Sequence, residues 1–106
     1  MSLTLDRNGY SFRVRISPNR AAVPNDFSAE VTRNGLPVRG ADVTLRFDML
    51  DMEMQSLEYR LAEVRPGVYE RSEPTLVMVG RWGLTLTVTP KRGAPASVVL
   101  LDRAGG

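Results

Sequence analysis

Apolar side chains recur at every second position in four stretches of this chain. Tyr10, Phe12, Val14 and Ile16 alternate with Ser11, Arg13 and Arg15. Phe27, Ala29 and Val31 alternate with Ser28, Glu30 and Thr32. Val43, Leu45, Phe47 and Met49 stand opposite Asp42, Thr44, Arg46 and Asp48. In GRWGLTLTVTP, Gly80 to Pro90, the row Trp82, Leu84, Leu86 and Val88 opposes Arg81, Gly83, Thr85, Thr87 and Thr89. Successive side chains of an extended chain point to opposite faces, so period two predicts half-buried antiparallel strands. The stretch carrying the lone Trp is expected to be a central strand, ended by Pro90, which cannot donate to a ladder.

Weaker patterns fill the intervals. Thr4 to Asp6 is expected to pair ahead of the first strand through a tight Asn8-Gly9 turn. Leu36 to Gly40 reads as a bend between sheets, after a strand closed by Asn34-Gly35. Beyond Met49 the parity shifts at Leu50 and Asp51, which predicts a bulge or loop. Leu57 to Val64, Val68 to Glu70 and Ala96 to Leu101 read as further strands, and the short apolar run Leu76 to Val79 leads through Gly80 into the Trp82 strand. Residues 102–106 read as a loose tail, and Met1-Ser2-Leu3 as a vector-derived start on a piece of a longer protein. No helical period is sustained, and Pro or Gly breaks the pattern about every eight to twelve residues. The expected fold is all-β: one immunoglobulin-like antiparallel β-sandwich of seven or eight strands over residues 1–106.

Composition narrows the chemistry. The 106 residues include no Cys and no His, so disulfides, thiolate sites and the usual zinc and copper(II) ligand sets are missing. Fourteen basic residues oppose 12 acidic ones, for a net charge of +2. The basic residues are scattered among acids without interleaved aromatics, which argues against nucleic acid as a partner. With neither His nor Cys, nucleophile activation would need a Ser-Lys or carboxylate pair, and none is suitably placed. The expectation is a protein that is not an enzyme and takes no small-molecule substrate.

The order of the second half, GADVTLRFDMLDMEMQ (40–55), GVYE (67–70) and GRWGLTLTV (80–88), resembles the YtkA-like family. These are small extracytoplasmic immunoglobulin-like domains, related in pattern to FixH-type proteins and to the soluble part of CopD-like copper-resistance membrane proteins. The resemblance spans most of residues 10 to 90. It implies a periplasmic or cell-surface location, a membrane protein of the same chain or operon as partner, and a link to copper.

Three Met within six residues, Met49, Met52 and Met54, with Met78 further on, are the sharpest candidates for a site. Thioether sulfur is soft and suits copper(I). The plainer reading is core filling, which Met's flexibility also suits. It is favoured for Met49, at the end of an inward row, and for Met78, between Leu76 and Gly80. Asp48, Asp51, Glu53 and Glu58 surround the same segment and could hold calcium, although their spacing matches no defined calcium loop. Tyr69 reads as a corner residue bonding backbone at a strand junction, and Trp82 as core. The leading expectation is therefore a non-enzymatic extracytoplasmic module of a membrane-associated metal-handling system, with Met52 and Met54, and less so Met49, as copper(I) ligands. The alternative is a purely structural or protein-docking sandwich without a metal ligand.

Overall fold

A computed structural model describes residues 1–106 as nine strands and no helix. They are β1 (Ser2–Arg7), β2 (Tyr10–Ser17), β3 (Asn25–Arg33), β4 (Leu36–Pro37), β5 (Asp42–Met49), β6 (Leu57–Arg65), β7 (Val68–Glu73), β8 (Gly80–Thr89) and β9 (Ala96–Ala104). The hydrogen-bonded order is β1-β2-β3-β7-β6-β5-β8-β9, antiparallel throughout, with β4 attached to β3. β6 belongs to both layers. Its first half pairs with β5 and its second half with β7, with a register shift between Glu63 and Arg65. The sheet thus folds over on itself, and the free edges β1 and β9 approach one another.

The alternating rows pack where parity places them. Phe12, Val14, Ile16, Phe27, Ala29 and Val31 form one inner face, and Val43, Leu45, Phe47, Leu84, Leu86 and Val88 the other. They belong to one cluster of 22 buried residues, crossed by an edge-on contact between Phe27 and Phe47, ring centroids 4.9 Å apart. Trp82 lies inside, 2% exposed.

The connections differ sharply between the two ends. At one, two-residue turns at Asn8-Gly9, Asn34-Gly35 and Pro66-Gly67 join consecutive strands, beside the longer connections 38–41 and 90–95. Both Asn-Gly pairs have positive φ at both residues, the geometry that matches the twist of a hairpin. Tyr69 secures the same end as a corner residue. Its hydroxyl donates to the Val38 carbonyl at 2.7 Å and accepts from the Ala41 amide at 3.1 Å, tying the chain where it crosses between layers. At the other end the connections are long: 18–24, 50–56 and 74–79.

Several expectations need correction. There are nine strands because residues 2–7 pair fully with β2 and because Leu36–Pro37, read as part of a bend, makes two rungs with β3. In the apolar run Leu76 to Val79, Leu76 plugs the core, while Val77, Met78 and Val79 stand out in a loop. Met78 is 40% exposed, so it is not a core residue. The last strand runs past Leu101 to Ala104, with Asp102 and Ala104 buried, and Gly105 bonds backbone at Asn19 and Ala21. The segment read as a loose tail is a ladder as far as Ala104.

Candidate functional site: the methionine end

The register places all five methionines at the long-loop end. Met1 bonds Ile16 at the end of β2, Met49 ends β5, Met52 and Met54 lie in the 50–56 loop, and Met78 in the 74–79 loop. Leu50, Val77 and Val79 are exposed beside them. This end is the apolar, polarizable pole of the molecule.

The 50–56 loop is an arch clamped at both feet. At the first foot the Leu50 amide donates to the Arg81 carbonyl at 2.9 Å. Asp51 accepts from the Arg81 amide and from Arg81 Nε, each at 2.7 Å. These bonds, the backbone amide foremost, hold the Asp51 carboxyl below the usual Asp value. Gly80 allows the close approach, since a Cβ there would lie 2.7 Å from both Asp51 Oδ2 and Met49 Cε. At the second foot Ser56 donates to Asp48, while Arg46 bonds Ser56 at 3.1 Å and pairs with Asp48 at 3.2 Å. Between the feet Met52 and Met54 are presented to solvent, 48% and 38% exposed.

The three candidate thioethers therefore divide. Met49 is half-buried, packed on the core cluster with its Cα opposite Trp82 in the ladder. Met52 and Met54 stand apart from that cluster on the arch. Beside Met49, Trp82 Nε1 donates to the Met78 carbonyl at 3.0 Å, so backbone at Met78 serves the core while its side chain does not. The carboxylates considered for calcium go separate ways, Asp48 to Ser56 and Arg46, Asp51 to Arg81, and no group of three acidic residues converges.

This ordering of motifs has a known counterpart. The model of the YtkA-like family matches residues 4–87. The chain belongs to the YtkA-like family. A search of curated proteins finds no match, and neither does a search of solved structures. In this YtkA-like chain the matched region runs from Thr4 in β1 through β7 and most of β8, and includes both long loops that carry Met52, Met54 and Met78.

Sequence reasoning passed over a polar group at the base of the same end. Asn25 is fully buried, and its Oδ1 accepts from the Asn19 and Arg20 amides while its Nδ2 donates to the Arg20 and Val23 carbonyls. That one side chain sets the path of the 18–24 loop, in which Asn19 and Ala22 hold positive φ. An apolar-pattern reading has no means of seeing it. Asp102 was detectable: it continues the inward parity of Ala96, Val98 and Leu100, where a carboxylate is out of place.

Proposed function

We propose that this protein is a non-enzymatic extracytoplasmic module of a membrane-associated metal-handling system, in which Met52 and Met54 offer thioether sulfur to copper(I). One observation carries the reading. All five methionines gather at one end, and two of them sit exposed on an arch whose feet are fixed by hydrogen bonds and ion pairs. Solvent-exposed Met is unfavourable as packing, and two soft donors two residues apart on a clamped loop lose little freedom on taking an ion. Met49, whose sulfur belongs to the packed layer beneath, is a weaker third ligand. Membership of the YtkA-like family supports the extracytoplasmic location and the membrane protein as partner.

A competing reading, protein docking without a metal, draws on the exposed Leu50, Val77, Met78 and Val79 around the arch. Apolar area gathered in one place marks a contact surface. Titration with copper(I) against a chromophoric chelator separates the two. The metal reading predicts a dissociation constant below about 1 μM, lost when Met52→Leu and Met54→Leu are combined. Weaker binding, or binding unchanged in that variant, leaves docking as the function of this end.

A further inference from the structure

The two free edges of the folded sheet are finished differently. On β1 the outward side chains are Ser2, Thr4 and Asp6, which stand opposite Arg15, Arg13 and Ser11 of β2. On β9 the inward row Ala96, Val98, Leu100, Asp102 and Ala104 is buried, and the outward row is Ser97, Val99, Leu101 and Arg103. Val99 is 67% and Leu101 73% exposed. No Pro or charge interrupts Ala96 to Leu101, and the register with β8 runs without a bulge. Such devices are how an edge is protected, and an apolar edge that lacks them pairs with another chain.

The free side of β9 also carries unpaired backbone. Gly105, just past the strand, donates to the Asn19 carbonyl and accepts from the Ala21 amide, so its peptide groups point away from β8. On β8, Arg81 gives its amide to Asp51 and its carbonyl to Leu50, away from β9. Even-numbered residues therefore make the β8–β9 rungs, and Ser97, Val99, Leu101 and Arg103 turn N–H and C=O to the open side. No strand bonds them there.

We propose that β9 is the interface of a homodimer, in which two copies join edge to edge and antiparallel about a two-fold axis at Leu100. In that register Val99 stands opposite Leu101 of the second copy, Leu101 opposite its Val99, and Ser97 opposite its Arg103. Each of these four residues then donates one backbone bond and accepts one, while four apolar side chains close over the axis. Leu50 widens the patch, since it lies over Gly83, the rung beside Leu101, where a Cβ would come 3.4 Å from Leu50 Cδ2.

Charge selects a second copy and its direction. Parallel pairing in register would set Arg103 against Arg103, which like-charge repulsion disfavours. The antiparallel register sets each guanidinium against the hydroxyl of Ser97, itself 2.9 Å from Thr87 Oγ1. A slip of two residues would place Arg103 against Val99 one way, or Leu101 against Ser97 the other. The net charge of +2 on each copy adds little long-range repulsion. The same surface serves both copies, so the assembly closes at two. It is a small interface, and its dissociation constant should fall at about 10–500 μM. The methionine arch takes no part, so the dimer and the copper(I) reading fail separately.

Sedimentation velocity from about 10 μM to 1 mM protein should show a concentration-dependent monomer–dimer equilibrium. Val99→Lys with Leu101→Lys sets like charges opposite across the axis and should weaken it at least about a hundredfold. Val99→Lys with Leu101→Glu sets Lys opposite Glu only in this antiparallel register, and should restore dimerisation to within about tenfold of the unaltered protein. Both side chains point to solvent, so both variants should keep the melting temperature of the monomer, and Thr4→Lys on β1 should leave the dimer intact. A monomer at the highest concentration, or assembly beyond two, would overturn the proposal. A dimer that survives the two lysines, is not restored by the Lys–Glu variant, or is lost on Thr4→Lys would overturn it equally.

Discussion

The two ends of this sandwich are built from different materials. One is closed by Asn-Gly and Pro-Gly turns and by Tyr69, with backbone and small residues bonded to one another. The other spans its strands with loops of six and seven residues, gathers every methionine, and exposes Leu50, Val77 and Val79 beside them. Both rest on the same core. The contrast shows that long connections are not slack in this protein, because Asp51, Ser56 and Asn25 tie them down at chosen points. The turn end mixes two-residue turns with the 90–95 connection, whereas the methionine end is spanned by long tied loops, as binding surfaces on rigid frameworks commonly are.

The comparison can be broken first at its common foundation. Trp82→Ala removes the largest core side chain beneath the methionine end and should cost about 3–5 kcal/mol, read from the shift in denaturation midpoint. A loss below about 1 kcal/mol would mean that this end does not share the core. At the turn end, Tyr69→Phe leaves the Val38 carbonyl and Ala41 amide without their buried partner. It should cost about 1–3 kcal/mol by the same measurement, with metal binding intact. The combined change Met52→Leu and Met54→Leu should stay within about 0.5 kcal/mol of the unaltered protein while copper(I) binding disappears, because neither thioether supports the fold. The smallest effect is the acid response. Asp51 is lowered by bonds from Arg81, and Glu63, at the turn end, by the Gly67 and Gly40 amides. Carboxylates with depressed folded-state values stabilise the fold above their ordinary values, and that contribution is lost as pH falls through the lower folded ones. Melting temperature should therefore decline below about pH 4, and Asp51→Asn or Glu63→Gln should each flatten part of that decline.

How much of this was legible beforehand follows from what alternation encodes. Period two located β2, β3, β5 and β8 and assigned Trp82 and Phe47 to the interior, because burial on one face is a property of single positions in a row. Tyr69 was also legible, as an aromatic with a polar tip at a strand junction. Leu76 to Val79 misled, because an unbroken apolar run has no parity. Only the structure shows that Leu76 alone points inward while the Trp82 indole takes the Met78 carbonyl. The tail misled in the opposite direction: Asp102 and Arg103 look like solvent residues, yet Asp102 keeps the inward parity and meets Asn19 across 83 positions of sequence. Partners so far apart leave no local trace. The methionine cluster was half legible. Met49, Met52 and Met54 are neighbours in sequence, but Met1 and Met78 join them only through the ladder register.

The most direct measurement is a methyl-resolved NMR titration with copper(I) of protein labelled at the methionine methyl groups, which reads five reporters on one end at once. The account predicts saturating shifts at Met52 and Met54, a smaller one at Met49, and none at Met1 or Met78. Unmoved Met52 and Met54 methyls, or a response confined to Met1 or Met78, would contradict it.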